Sequence, residues 1–184
     1  MAQAGKLNRE IIVREAIALL NAEGLAALSL RRIAARLGVR APSLARHVGD
    51  KAQLLSLISG AIFGEALASI PAGLTGDDWL EAFGHALRDK QRETRDIAGL
   101  LTIAPPDEAS DRAAAERLRA LMRAAGLDGP RAQMEQSAIQ ALVTGWMTFE
   151  KSRRADSFAA RLPVPDAFDH SLRALIAGFR SGSA

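Results

Sequence analysis

Residues 31–51 read RRIAARLGVRAPSLARHVGDK and carry six Lys and Arg, one Asp and one His. Through this basic run pass Ile33, Leu37, Leu44 and Val48, spaced as two short apolar seams on either side of Gly38-Val39. A purely solvated stretch has no need of them. The pattern is that of two short helices joined by a glycine turn, with Ile33 and Leu37 packed against Leu44 and Val48 and the cations facing outward. Ser29 is placed to cap the first helix, with Leu28 and Ile33 as a hydrophobic staple and Ala34 completing the buried stripe. Gly38 ends it in a left-handed conformation. The second helix begins near Arg40 or Ala41, with Pro42 in the first turn, where its missing N–H is harmless.

On the N-terminal side, Asn8 caps a helix in which Ile12, Ala16, Leu19 and Leu20 recur at helical spacing and Gly24 is the stop. On the C-terminal side a longer helix is expected over about 51–70, and Leu80, Phe83 and Leu87 mark another over about 79–94. Further helices are expected near 96–103, 107–125, 131–152 and 166–179. They are divided by PAGLTGDD at 71–78, Pro105-Pro106, LDGP at 127–130 and a polar stretch through Pro163-Val164-Pro165. No alternating β-branched run and no Asn-Gly hairpin signal occurs. The expected class is all-α, with a three-helix helix-turn-helix domain at 1–50 joined to a larger helical domain at 51–184.

Composition narrows the function. Of 184 residues 48% are hydrophobic and 24% charged, a globular profile. Net charge is +3, yet residues 1–51 hold nine Lys and Arg against four Asp and Glu, a net of +5, which leaves −2 for the rest. A polyanionic partner is implied for the N-terminal end, although charge alone does not separate nucleic acid from a membrane surface. No cysteine is present, so thiolate chemistry and cysteine-based zinc sites are excluded. His47, His85 and His170 lie too far apart for a local metal clamp, and no metal or cofactor is expected. G-x-S-x-G, a Gly-rich phosphate loop and H-E-x-x-H are all missing, so an enzyme has no support and no catalytic residue is assigned. Wholly apolar runs are short and MAQAGKLNREI has no apolar core, so no membrane helix and no secretory signal is expected; the location expected is cytoplasmic.

Arg31, Arg36, Arg40, Arg46, His47 and Lys51 fall at the ends and outer faces of the hairpin, which suits a second helix laid in a major groove with phosphate contacts along both sides. Ser43 and Arg46 are placed to reach base edges. Two alternatives stay open on these residues alone. One is a helical hairpin with a solvated basic face; the other is an interaction module whose basic face binds an acidic protein or a membrane surface.

The order AIALLNAEG, LSLRRIAARLGV, APSLARHVGDK, AQLL over the first 60 residues resembles the N-terminal domain of the tetracycline-repressor (TetR) family of bacterial transcriptional regulators. The resemblance implies a dimeric repressor that binds a palindromic double-stranded DNA operator and is released by a small-molecule inducer. It carries DNA contact to Arg31, Ala41, Pro42, Ser43, Ala45, Arg46, His47 and Lys51. One departure is Ala45, where the family commonly has an aromatic residue, usually tyrosine. A weaker resemblance to the tetracycline repressors themselves runs through Asp78-Trp79, Arg95-Asp96 and the helix containing Gly145. The histidine expected a few residues after Arg95-Asp96 is replaced at about Leu101, and no histidine lies between Glu65 and Asp78, so tetracycline with magnesium is not the expected ligand.

In the larger domain, Phe83, His85, Leu87, Leu100, Leu101, Met134 and Met147 are the candidate effector-lining residues, with solid core as the alternative. His85 has Glu81 and Asp89 at i−4 and i+4, which suits a metal less well than a hydrogen-bonded face or a polar anchor. Ile139, Leu142, Val143, Trp146, Met147 and Phe149 make the helix at about 131–152 apolar nearly all round, so it needs burial on more than one side. The expected dimer interface is Ala138, Ala141, Leu142, Gly145, Phe168, Leu172, Leu175 and Phe179, with burial inside a monomer as the alternative.

Overall fold

The structure, a computed structural model, describes residues 7–152, 157, 160 and 164–181, apart from the side chains of 109, 110 and 164–166. Its helices are α1 (Arg9–Glu23), a 3-10 turn (Leu25–Ala27), α2 (Leu30–Arg36), α3 (Ala41–Val48), α4 (Lys51–Ser69), α5 (Gly76–Glu93), α6 (Ile97–Ile103), α7 (Glu108–Ala124), α8 (Gly129–Glu150) and α9 (Val164–Ser181). Among the described residues there is no strand, as an all-α protein requires. Of the expected polar stretch ahead of α9, 153–156, 158–159 and 161–163 lie outside the described residues.

The caps explain the helix boundaries. Asn8 accepts the N–H of Ile11 at 2.9 Å and Ser29 that of Arg32 at 3.3 Å, each satisfying an orphan donor in the first turn. LDGP falls at the break between α7 and α8, as expected, and its second half also starts α8: the Asp128 carboxylate accepts the Gly129 N–H at 2.8 Å and Pro130 sits in the first turn. Similarly α5 begins at Gly76, three residues before Trp79, because Asp77 and Asp78 favour the positive end of the helix dipole.

The chain forms two compact units, residues 1–64 with 93–114, and residues 65–92 with 115–184. In the first, α1, α2 and α3 pack together around Ile12, Leu19, Leu20, Leu28, Ile33, Leu44 and Val48, with Leu54 and Ile58 of α4 also buried. Arg95 and Asp96 brace the end of α1: the Arg95 N–H donates to Asn21 Oδ1 at 3.0 Å, its guanidinium to the Ala22 carbonyl at 2.9 Å, and the Leu25 N–H donates to the Asp96 carboxylate at 2.8 Å. In the second unit Phe83, Leu80, Ile139, Val143, Met147, Phe168, Leu172 and Ile176 form the core, with α9 packed on α8.

One sequence expectation needs correcting here. α4 is long and apolar enough to cross a membrane, by length and composition, with a mean hydropathy of 1.3. Short apolar runs concealed this because small and polar residues are scattered through it. Its Leu54, Leu55, Ile58, Ile62, Ala66 and Leu67 are buried within the protein, as in the core helix of a globular fold.

Candidate nucleic-acid interface

The turn between α2 and α3 is closed by its own backbone. The Gly38 N–H donates to the Ala35 carbonyl at 3.3 Å and the Val39 N–H to the Ala34 carbonyl at 3.0 Å, the paired bonds of a Schellman stop. Gly38 has φ +66°, a left-handed conformation that a Cβ would make costly. Beneath the turn Ile33, Ala34, Leu44 and Val48 are buried, while Leu37, expected in the same stripe, is half-buried because it is the C-cap, where the helical face has already turned outward.

That anchoring decides which side of α3 is free. Pro42, Ala45 and Arg46 are exposed, and Ala41, Ser43 and His47 half-exposed. Arg40 precedes the helix in extended conformation, and Lys51 opens α4; both are exposed. Arg31, Arg40, Arg46 and Lys51 form no ion pair with another described residue, so their charge is available to a partner. Arg36 differs from expectation: it pairs with Glu15 and, at 3.9 Å, with Glu23, while Arg32 also pairs with Glu23. The acids of α1 thus neutralise the inner cations of α2 and leave those on α3 and its borders free.

Two features went unread in the sequence. Asp50 and Gln53 form a reciprocal capping box, with the Gln53 N–H on Asp50 Oδ1 at 2.9 Å and the Asp50 N–H on Gln53 Oε1 at 3.3 Å; the D-x-x-Q spacing is the local signal for it. Arg9 donates from Nε to the His47 carbonyl at 3.1 Å, holding the last turn of α3; a contact across 38 positions leaves no local signal.

The candidate effector residues are divided between the two units. Phe83, Leu87 and Met147 are core, and Trp79 stacks on Phe83 with ring centroids 5.4 Å apart. Leu100 is buried in the first unit, whereas Leu101 and Met134 are 41% and 66% exposed. The helical period is the reason: Met134 lies off the buried stripe of α8 (Ala132, Gln136, Ile139, Val143, Met147), and Leu101 is one step round α6 from inward-facing Leu100. His85 lies 3.8 Å from Glu81 and 3.9 Å from Asp169 and edge-on to Phe168, without Asp89, and no metal-ligating cluster of three occurs among the described residues. A buried arginine was missed: Arg88 pairs with Glu150 at 2.7 Å and stacks over Phe168 at 4.0 Å. Its Nε, like Oε1 of the buried Gln91, has no hydrogen-bond partner among the described residues.

The proposed dimer face also divides. Ala141 and Gly145 are exposed and Ala138 and Leu142 half-exposed on α8, where Ala141, Leu142, Gly145, Trp146 and Phe149 line an apolar hollow of about 330 Å³. Leu175 and Phe179 are half-exposed on α9. Phe168 and Leu172, by contrast, are fully buried in the chain's own core, so they offer no surface to a partner. They occupy the inner side of an amphipathic helix whose two faces were not told apart by apolarity alone.

A short glycine-turned helix pair, buttressed by a third helix and presenting unpaired cations around a solvent-facing second helix, defines a helix-turn-helix DNA-binding protein. The sequence model described as bacterial regulatory proteins, tetR family, matches residues 12–58. An HTH-type transcriptional regulator of Saccharopolyspora erythraea is 31% identical over 144 residues, which cover 78% of this chain and 61% of that protein, less than two thirds of its length. The tetracycline repressor protein class C of Escherichia coli is 32% identical over 160 residues, covering 83% of this chain and 70% of that one. The structure of the Streptomyces coelicolor TetR family protein ActR in complex with actinorhodin superposes with a TM-score of 0.76 at 26% identity, covering 99% of this chain and 98% of that one. The chain belongs to the tetR family of bacterial regulatory proteins.

Proposed function

We propose that the protein is a transcriptional repressor which binds a palindromic DNA operator as a homodimer and is released from it by a small-molecule inducer. The observation that carries this reading is the set of unpaired cations, Arg31, Arg40, Arg46 and Lys51, around a recognition helix held from beneath by Leu44 and Val48. Residues 1–50 act as the DNA-binding head and 51–184 as the effector and dimerisation domain. Arg31, Arg40, His47 and Lys51 contact phosphates, and Ser43 and Arg46 meet base edges. Pairing through the small-residue face of α8, with Ala138, Ala141, Leu142 and Gly145, sets two heads on successive major grooves roughly 34 Å apart or a multiple of it.

That ActR is solved with actinorhodin supports an organic effector for this chain as well. Within the second unit, the unpartnered Arg88 Nε and Gln91 Oε1 support an effector bearing both an acceptor and a donor. An inducer acts only if it binds the DNA-incompetent arrangement of the heads more tightly than the competent one. α4, which contributes residues to both units, is the lever. The protein works in the cytoplasm, where its DNA is.

The test is binding of the full chain to duplex DNA across a salt series, beside anionic lipid vesicles. Preference for one palindrome over random duplex, with affinity falling steeply in salt, is the expected result. Equal affinity for all duplexes, or tighter binding to the vesicles, would favour the basic face as a protein- or membrane-docking module instead.

A further inference from the structure

The exposed surface of α3 has two unlike flanks. At about 100° per residue, Leu44 and Val48 mark the inward direction and Arg46 stands opposite them. On one side of Arg46 lie Ala41, Pro42 and Ala45; on the other lie Ser43 and His47. The first flank is therefore small and apolar, yet Pro42 and Ala45 are exposed and Ala41 half-exposed. The helix, APSLARHV, contains no Asn, Gln, Asp or Glu. It lacks the amide that pairs with N6 and N7 of adenine, and the carboxylate that accepts from N4 of cytosine. An A·T pair still offers one feature to such a surface, the C5-methyl group of thymine, which small apolar side chains meet directly in the major groove.

Arginine pairs with O6 and N7 of guanine; we propose that Arg46 reads a guanine and that Ala41, Pro42 and Ala45 form a methyl-reading flank that selects thymines on one side of it. The inference rests on the DNA-reading function above and goes beyond it to the base composition of each half-site. Ala45 has a further effect: with a single methyl group there, no long side chain holds the helix away from the groove floor, so the neighbouring apolar groups can reach the thymine edge.

Uracil keeps the pairing and O4 of thymine and lacks only the methyl, so it isolates this contact. The full-length chain is used to select a preferred duplex from a random pool. That duplex is then rebuilt with uracil replacing thymine at one position at a time, symmetrically in both half-sites. At two or more thymines beside the selected guanine, affinity is expected to fall by about fourfold per methyl lost, the transfer free energy of one such group. Ala45→Gln, an exposed helical position where Gln is a good helix former, should then bind the thymine and uracil duplexes equally at one of those positions, with its circular dichroism unchanged. Equal affinity of the native chain for thymine and uracil at every position overturns the proposal while leaving sequence-specific DNA binding intact. Failure to enrich any sequence overturns the DNA-reading function itself, and the proposal with it.

Discussion

Nε of Arg9, the first residue of α1, donates to the main-chain carbonyl of His47 in the last turn of α3 at 3.1 Å. That carbonyl is one of the acceptors a helix end leaves unsatisfied, and the bond fixes the tilt of α3 from outside the apolar seam. Arg9→Ala is expected to weaken operator binding roughly three- to tenfold, in line with about 1 kcal/mol for such a bond. Because the role is positional, the salt dependence should stay that of the native chain. Fluorescence anisotropy across a salt series checks this, since a slope reduced by about one would make Arg9 a phosphate contact instead.

Arg46 and Lys51 differ in where they sit, Arg46 at the centre of the exposed side of α3 and Lys51 at the start of α4. Arg46→Ala should lose about 1–3 kcal/mol of discrimination at one base pair. Lys51→Ala should weaken every duplex alike and lower the salt slope by about one. Competition binding with single-base variants of the operator separates the two; a uniform loss in both variants would remove base reading from Arg46.

Asp96 is the one described non-glycine residue at positive φ, +54°, and its carboxylate accepts the Leu25 N–H beside Gly24. Asn tolerates that conformation and retains an acceptor, whereas Ala does neither. Asp96→Ala is expected to destabilise the fold by about 1–3 kcal/mol and Asp96→Asn by much less. Chemical denaturation of the two variants decides it. Gly24→Ala should behave like Asp96→Ala, because a Cβ there meets Asp96 Oδ2 at 2.7 Å with φ at +85°.

Gly84 on α5 faces Leu172 on α9 so closely that a Cβ would lie 2.7 and 2.9 Å from the two Leu172 methyl carbons. Gly84→Ala is expected to cost about 1–3 kcal/mol by overpacking, and Leu172→Ala about 2–5 kcal/mol by leaving a cavity. The double variant should be less destabilised than the sum, with a coupling of about 0.5–3 kcal/mol. Additive losses in denaturant melts would contradict direct packing.

Ala141→Glu places a carboxylate in the apolar hollow on α8 without touching the protomer's core, since Ala141 is exposed. If that face joins two copies, the variant should be monomeric by sedimentation or light scattering and lose specific operator binding, while its thermal transition as a monomer persists. An unchanged dimer would move the interface elsewhere.

Much of the head was legible in residues 8–51, because its signals are local: Asn8 and Ser29 as caps, Gly24 and Gly38 as stops, and Ile33, Leu44 and Val48 at helical spacing. All of these appear where the pattern puts them. Leu37 was misjudged because the turn begins at the residue that would extend the stripe. The rest of the chain was less legible. Leu101 and Met134 are as apolar as their buried neighbours, and Arg88 looks like any surface arginine in a charged helix, yet the first two are exposed and the third is buried against Phe168 and Glu150.

The division has a physical origin. Helix limits, caps, turns and the crowding of positive charge near the amino end depend on neighbours within a few residues, so a linear reading reaches them. Which cations remain free on the head depends on Glu15 and Glu23 neutralising Arg36 and Arg32 from another helix. Which apolar residues of α8 and α9 become core, Met147, Phe168 and Leu172, and which stay at the surface, Ala141 and Gly145, depends on how those helices rotate about their axes when they pack. Helices with apolar groups on several sides have no unique inward face until a neighbour supplies one, and that choice is made by shape complementarity between segments far apart in the chain.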